Sequence, residues 1–327
     1  MKAIVYTKYG PPDVLELKEV EKPAPKDNEV LVKIHAASVN AADLDWVRGI
    51  PLIRLTGPIK PKIKILGSDI AGRVEAVGRN VRQLQPGDEV LGDLSMCGFG
   101  AFAEYVCVPE NALVLKSASM TFEQAAAVPQ AAVVALQGLR GRGEIQPGQK
   151  VLINGAGGGV GTFAVQIAKS FGAEVTGVDS AKKLEMVSSI GADHVIDYTR
   201  EDYTKSGQRY DLILDVAAKR SIFDYKRALS PTGVFVVVGG SGAALFQAVF
   251  LGPLISMTGS KKLGILMWKP NKKEDLAFLK ELLEAGKVKP VIDRRFPLSE
   301  VAEALRYLEE GHVLGKVVIT LEDNSNN

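Results

Sequence analysis

The sequence predicts an α/β protein with two domains, one built on a doubly wound parallel sheet and the other largely β. Up to about residue 121 the chain shows short β-like runs separated by turns. From residue 150 apolar runs alternate with helical patterns, which is typical of a parallel sheet with helices on both faces. The length of 327 residues also exceeds what a single core usually holds.

The first segment contains several short apolar runs rich in β-branched residues. Strands are predicted at residues 30–34, 72–77 and 89–91, with a Pro-Gly-Asp turn at 86–88. Many short strands at close spacing predict a compact, largely β domain.

The pattern changes at residue 121. Thr121 and Gln124 form a capping box ahead of an alanine-rich helix. Pro129 interrupts this helix, so either a kink or two consecutive helices is expected.

The alternating segment then follows. Its predicted strands lie at residues 151–154, 174–178, 194–197, 210–216 and 233–238. Beyond residue 269, Asn271 and Ser299 can each cap a helix, and residues 315–319 form a last strand. The segment beyond residue 269 does not continue the alternation of strands and helices, so we expect it to return to the first domain.

Composition excludes several classes of function. With 40 basic and 38 acidic residues the net charge is +2, which gives no sign of a nucleic-acid or membrane-surface partner. The longest apolar stretch, at 243–259, is too short and broken to insert in a membrane. The first residues lack the apolar core of a signal peptide, so a cytoplasmic location is expected. Cys97 and Cys107 fit small packing residues better than a redox pair.

A glycine-rich turn at residues 151–161 joins a predicted strand to a predicted helix. A dinucleotide-binding fold needs glycine there for a tight turn, for close approach to a pyrophosphate and for helix–strand packing. The helix N-terminus supplies free N–H groups and a positive partial charge. The order strand, turn, helix, strand favours this interpretation over a merely flexible turn.

Residues after the second strand give conflicting signals about the dinucleotide. Asp179 stands where an acid would bind the ribose diol of NAD, whereas Ser180, Lys182 and Lys183 suit the 2′-phosphate of NADP. Ser180 could equally be a helix N-cap, and both lysines could lie on a solvated helix face.

The chain resembles the zinc-independent members of the medium-chain dehydrogenase/reductase superfamily, in the quinone oxidoreductase and enone reductase branch. Besides the glycine-rich loop, the residues that carry the resemblance are 38–43, 67–72, 85–88, 103–105, 191–198 and 315–318.

The resemblance implies a Rossmann domain inserted into a GroES-like catalytic domain. The Rossmann domain would cover residues 125–260 and the catalytic domain residues 1–124 and 261–327, with the cofactor in the cleft between them. Relatives commonly form homodimers through the last Rossmann edge, so a homodimer is expected.

The resemblance also assigns the cofactor loop. The family pattern A-x-G-x-x-G falls on Ala156, Gly158 and Gly161. Gly159 and Val160 are expected to place N–H groups on the pyrophosphate.

Lys183 and Tyr198 match family residues that hold the 2′-phosphate, and Ser180 falls in the same pocket. Asp179 departs from the small residue usual there and would repel the phosphate unless it turns away. NADPH is therefore the expected cofactor, with NADH as the alternative.

Three further positions match the family site. Val216 is expected to line the adenosine and Gly239 the nicotinamide. Asn40 matches a position near the nicotinamide and is the candidate catalytic residue, as a polar contact to the substrate.

Zinc ligands are missing from the expected places. Ser68 stands where zinc alcohol dehydrogenases carry a ligand histidine, and residues 35–38 contain no cysteine. His35 alone cannot supply a catalytic zinc site. No metal is therefore expected. Asp69 could pair with a basic group beneath the nicotinamide site or be a buried structural acid.

These features predict an oxidoreductase that transfers hydride to small-molecule quinones or α,β-unsaturated carbonyl compounds, because such acceptors withdraw electrons without the help of zinc. Two alternatives stay open: an alcohol dehydrogenase, and an NADPH-binding protein without turnover.

Overall fold

The computed structural model describes residues 1–140 and 145–321, which form fifteen strands and ten α-helices. The strands are β1 (Lys2–Val5), β2 (Glu16–Glu19), β3 (Glu29–Ser38), β4 (Asp69–Val77), β5 (Glu89–Asp93), β6 (Tyr105–Pro109), β7 (Leu113–Leu115), β8 (Lys150–Asn154), β9 (Glu174–Asp179), β10 (His194–Asp197), β11 (Tyr210–Asp215), β12 (Leu229–Val237), β13 (Lys262–Ile265), β14 (Ile292–Pro297) and β15 (Lys316–Thr320). The helices are α1 (Ala41–Arg48), α2 (Pro51–Arg54), α3 (Phe122–Ala126), α4 (Pro129–Arg140), α5 (Gly159–Ser170), α6 (Ala181–Ser189), α7 (Ile222–Ala228), α8 (Gly242–Thr258), α9 (Lys273–Glu284) and α10 (Val301–Glu309).

The chain divides into two compact units. Unit 1 comprises Met1–Gln130, Pro270–Leu276 and Ile292–Asn327, and unit 2 comprises Ala131–Lys269 and Ala277–Val291. The last part of the chain thus returns to the first unit. Residues 322–327 of the predicted catalytic domain lie outside the described residues.

Unit 1 is built on a seven-stranded sheet in the order β14-β15-β3-β4-β5-β7, with β6 paired to β3. Most side chains of the long strand β3 are buried, and those of Val30, Val32 and Ile34 pack into the core of this unit. Its last residue, Ser38, lies opposite Asp69 of β4 on one side and Val318 of β15 on the other. This register gathers the ends of three strands at one place.

Unit 2 contains a six-stranded sheet in the order β10-β9-β8-β11-β12-β13, and every pairing in it is parallel. The order reverses at β8, which pairs with both β9 and β11, so the sheet is doubly wound as predicted. Ligands of such sheets bind at the carboxyl ends of the strands where the order reverses. The strand β13 lies beyond the predicted boundary at residue 260, because its four residues are too short to give a clear pattern.

The structure confirms the predicted helix cap at Thr121 but not those at Asn271 and Ser299. Thr121 and Gln124 form the expected capping box at α3, and Pro129 begins α4, so the two helices are consecutive. Ser299 lies in a short 3₁₀ turn, and Glu300 occupies the N-cap position of α10. Asn271 instead directs its side chain to Asp93, as described below.

None of the helices within residues 1–140 and 145–321 has the length and apolar character needed to cross a bilayer.

Candidate functional site

The glycine-rich loop of unit 2 ends in a helix N-terminus with free donors. Gly158 is the N-cap of α5, and the first N–H group that bonds back to it is that of Thr162, at 2.9 Å. Among the described residues nothing accepts the N–H groups of Gly159, Val160 and Gly161, because a glycine cap has no side chain to do so. Three aligned donors at a positive helix end suit a pyrophosphate.

Two glycines of this loop are required by close packing. A Cβ added at Gly161 would lie 2.1 Å from the carbonyl oxygen of Gly155. One added at Gly157 would lie 2.8 Å from Cδ of Lys183 and 3.1 Å from Oδ2 of Asp179. The loop can therefore reach this position only with glycine at both sites, which is what a phosphate-binding turn needs.

Asp179, at the end of β9, turns toward the loop. Its Oδ2 accepts the N–H of Gly157 at 2.8 Å, and its Oδ1 accepts the N–H of Ser180 at 2.8 Å. The Lys183 ammonium lies 3.9 Å from Oδ1, and both side chains are largely buried. The carboxylate thus fixes the loop while a lysine balances its charge.

The residues predicted to hold a 2′-phosphate surround this aspartate. Ser180 occupies the N-cap position of α6, but its hydroxyl makes no capping bond. Tyr198 donates its backbone N–H to the carbonyl oxygen of Asp179 at 3.2 Å, and its side chain is 49% exposed. Ser180, Lys183 and the backbone of Tyr198 therefore all lie beside Asp179.

Val216 and Gly239 follow the carboxyl ends of β11 and β12. The N–H of Val216 donates to the carbonyl oxygen of Asn154 at 3.0 Å. A Cβ added at Gly239 would lie 3.2 Å from the carbonyl oxygen of Val216, so the two residues adjoin. The structure thus brings both to the same edge of the sheet as the glycine-rich loop.

Unit 1 holds a buried ammonium. The Nζ of Lys316, in β15, lies 2.6 Å from Oδ1 of Asn40, 3.2 Å from the carbonyl oxygen of Val39 and 3.3 Å from Oδ2 of Asp69. The side chain of Lys316 is 3% exposed and that of Asp69 is 0% exposed. All three protons of the ammonium therefore have an acceptor, which is the condition for burying such a charge.

The partners of Lys316 are themselves joined. The amide nitrogen of Asn40 donates to Oδ2 of Asp69 at 2.9 Å and to Oγ of Ser68 at 3.2 Å. Asp69 also accepts the hydroxyl of Ser38 at 3.0 Å and the N–H of Gln130 at 3.0 Å. We call Asn40, Ser68, Asp69 and Lys316 the lysine network. Asn40 is fixed in it by three hydrogen bonds, and Lys316 is the basic partner expected for Asp69.

Two more carboxyls lie near this network, and both hold their protons more tightly than usual. Burial raises the pKa of Asp43 to about 7, and the charge of Asp69 adds to this effect. Burial and Asp69 likewise raise the pKa of Asp93 to about 7. Asn271 brackets the backbone of Asp93 by accepting its N–H at 3.2 Å and donating to its carbonyl oxygen at 2.6 Å.

No three His, Cys, Asp or Glu side chains come together as a metal-binding group in the part of the chain that the structure describes. The hydroxyl oxygen of Ser68 accepts from Asn40, and the ring of His35 stacks on Phe122 with centroids 4.3 Å apart.

Sequence reasoning did not identify Lys316 as a site residue. The signal that could have identified it is its position, because Lys316 directly precedes the apolar residues 317–319 of a predicted strand. A lysine in such a strand is expected to be buried, and a buried lysine nearly always has a partner. Asp93 and Gln130 were also missed, and nothing in their local sequence distinguishes them.

Comparison with known proteins shows the family to which the chain is related. Residues 26–118 match the family model described as alcohol dehydrogenase GroES-like domain, and residues 190–319 match that described as zinc-binding dehydrogenase. A 2-methylene-furan-3-one reductase of Solanum lycopersicum is 38% identical over 330 residues, which cover 98% of this chain and 79% of that protein. An NADPH-dependent alkenal/one oxidoreductase of Arabidopsis thaliana, described as chloroplastic, is 35% identical over 331 residues, with the same coverage of 98% and 79%.

Solved structures agree as well. A quinone oxidoreductase from Coxiella burnetii superposes with a TM-score of 0.88 at 30% identity, covering 98% of this chain and 99% of the other. The Escherichia coli quinone oxidoreductase complexed with NADPH superposes with a TM-score of 0.86 at 26% identity, covering 98% and 100%. The chain therefore belongs to the medium-chain dehydrogenase/reductase superfamily, in the branch of quinone oxidoreductases and alkenal reductases.

Proposed function

We propose that this protein is an NADPH-dependent, zinc-independent reductase of quinones or α,β-unsaturated carbonyl compounds. The observation that carries the proposal is the set of three free N–H groups at Gly159, Val160 and Gly161, beside an Asp179 whose charge is already balanced. Relatives named as NADPH-dependent alkenal/one oxidoreductase and quinone oxidoreductase support the same reaction class.

Residues of unit 2 account for the choice of cofactor. The N–H groups at the start of α5 would bind the pyrophosphate, and Val216 and Gly239 would line the adenosine and nicotinamide. Both oxygens of the Asp179 carboxylate already accept N–H groups, those of Gly157 and Ser180. The carboxylate is therefore not free to bind a ribose diol. Together with the hydroxyl of Ser180, this arrangement favours NADPH over NADH.

Bound NADPH supplies a hydride to the electron-poor carbon of the acceptor. The acceptor oxygen then gains negative charge, which must be stabilised by hydrogen-bond donors or cations in a water-poor site. The lysine network places a fixed amide and an ammonium in unit 1, with Asn40 as the proposed contact to the substrate. Both amide protons of Asn40 are donated within the network, so this contact requires that the amide exchange its bond to Ser68 for one to the acceptor oxygen. The rigidity of the network keeps this polar surface organised in advance.

Zinc independence is supported by the same residues. Ser68 stands at the position of a ligand histidine and accepts a hydrogen bond from Asn40. The cation in this region is the ammonium of Lys316, whose three protons are all donated. An acceptor activated by its own carbonyl group needs no further Lewis acid.

The test is consumption of NADPH by chelator-treated protein with a neutral naphthoquinone and with a simple enone, followed by absorbance of the reduced nicotinamide. We expect turnover of at least one acceptor, unchanged by the chelator and slower with NADH. Zinc-dependent reduction of NAD by an alcohol would instead establish an alcohol dehydrogenase. Tight NADPH binding without turnover of any acceptor would establish a binding protein.

We further propose a homodimer formed through α8 and the edge strand β13. The helix α8 contains no charged residue and exposes Phe246, Phe250, Leu254 and Met257. Such an apolar patch beside an unpaired sheet edge is costly in water and suits a partner of the same kind. Light scattering should give twice the chain mass, and Phe250→Glu should halve the measured mass.

A cytoplasmic location is part of the proposal, although the alkenal/one oxidoreductase is described as chloroplastic.

A further inference from the structure

Unit 1 contains a pocket that the proposed reaction does not yet use. Its volume is about 630 Å³, and its lining includes Trp46, Thr56, Lys62, Ile63, Lys64 and Phe99. This size is within the range that holds a small organic molecule. We call it the Trp46 pocket.

Two aromatic rings form its apolar wall. The rings of Trp46 and Phe99 meet edge to face with centroids 5.0 Å apart, and Phe99 is 7% exposed. The backbone of Phe99 has φ +65°, between two glycines that also have positive φ. A non-glycine residue in this region costs about 1 kcal/mol or more, and such residues cluster at ligand sites. The fold therefore holds this ring in place at a cost to its stability.

Lysines form the other side. Lys62 and Lys64 are the charged residues of the lining, which has no acidic side chain among the described residues. Within the described part of the chain, neither ammonium has a carboxylate within 4.0 Å. The carbonyl oxygen of Lys64 accepts the N–H of Tyr6 at 3.1 Å, which anchors this segment. A pocket whose lining combines an apolar wall with two lysines is complementary to an aromatic anion.

The pocket is continuous in sequence with the lysine network. Helix α1 begins directly after Asn40 and carries Trp46. The segment that contains Lys62 and Lys64 leads into Asp69, and Phe99 lies on the loop that follows β5. Two of these segments, the one that runs from Asn40 into α1 and the one that runs from Lys62 to Asp69, therefore contribute residues to both the pocket and the network within unit 1.

We infer that the Trp46 pocket binds the ring system of the acceptor, and that Lys62 and Lys64 select acceptors that carry an anionic substituent such as a carboxylate or sulfonate. This inference rests on the proposed reductase function for its kinetic test. The pocket itself is a binding site for aromatic anions.

The kinetic test compares 1,4-naphthoquinone with its 2-sulfonate in the wild type and in the variant Lys62→Gln/Lys64→Gln. Lys60→Gln is the matched control, because Lys60 lies in the same segment but not in the pocket lining. The KM for the sulfonate should rise roughly threefold to tenfold in the double variant, as expected for two partly exposed charge contacts. The KM values for the neutral quinone and for NADPH should not change.

A binding test is independent of turnover. The chain has two tryptophans, Trp46 and Trp268, so in a Trp268→Phe background the fluorescence reports on Trp46 alone. The sulfonate should quench this signal, and the double lysine variant should weaken the quenching by the same factor. Equal effects of Lys60→Gln, a changed KM for NADPH, or no preference between the quinones would overturn the inference. Quenching without turnover of either quinone would support the pocket and refute the proposed function.

Discussion

Replacing Lys316 by methionine tests whether the lysine network is held together by its ion pair. Methionine has nearly the shape of lysine but no charge, so the change removes the ammonium and leaves the space filled. Asp69 then stays fully buried without its cationic partner, and its remaining donors among the described residues are Ser38, Asn40 and Gln130. The stability lost in the Lys316→Met variant should therefore come from electrostatics and not from packing.

The structure gives the size of the effect. At 3.3 Å the attraction between Lys316 and Asp69 is about 5 kcal/mol for an effective dielectric constant of about 20. Part of this offsets the cost of burying the ammonium, which the variant no longer has to bear. Breaking one side of a buried pair typically costs about 3–5 kcal/mol, and we expect a loss of that size in the free energy of unfolding of unit 1.

The assay is a double-mutant cycle with Asp69→Asn, measured by urea unfolding. Because the chain has two compact units, a global signal would mix two transitions, so Trp46 fluorescence in a Trp268→Phe background should follow unit 1. Each single variant leaves one buried charge unpaired, whereas the double variant leaves none. The double variant should lose at least about 2 kcal/mol less than the two single losses together. Additive losses, within about 0.5 kcal/mol, would refute the pairing argument.

Three further predictions concern the cofactor loop and a buried carboxyl. Gly161→Ala should lose about 1–3 kcal/mol of stability and most of the NADPH affinity, because its Cβ would lie 2.1 Å from the oxygen of Gly155; calorimetric binding at wild-type affinity would contradict this. Lys183→Ala should lower NADPH affinity about tenfold more than NADH affinity in parallel titrations, and an equal loss for both would show that the lysine serves only Asp179. Burial raises the pKa of Asp93 from 3.8 to about 7, so the folded chain binds a proton that the unfolded chain has lost, and stability falls as pH rises through this window. Asp93→Asn should therefore be more stable than the wild type at about pH 8, by up to about 4 kcal/mol, and the gain should vanish near pH 4; a gain that does not vary with pH would exclude the ionisation.

Local sequence patterns were enough to predict the glycine-rich turn between β8 and α5. The turn needs glycine at positions a few residues apart, and the strand and helix beside it have their own periodicity, so every signal lies within about thirty residues. The doubly wound sheet was predicted for the same reason. The strand β13 was not, because it is short and its sequence resembles a loop.

The lysine network could not be assembled from local patterns. Lys316 and Asn40 are 276 residues apart, and they meet only because β15 pairs with β3 at the end of that strand. The orientation of Asp179 is a second example. The sequence placed an acid beside a possible phosphate site, but only the geometry turns its carboxylate toward Gly157.

The charges around the lysine network are balanced by protons as well as by the ammonium. One ammonium, Lys316, is buried near three carboxyls, those of Asp43, Asp69 and Asp93. If all three were ionised, the region would carry an excess of buried negative charge, which is costly. Burial instead raises the pKa of Asp43 and Asp93 to about 7, so that below this pH these two carboxyls are protonated and add no negative charge beside the Lys316–Asp69 pair. A developing oxyanion is stabilised best in such a nearly neutral setting, because each further carboxylate would oppose it.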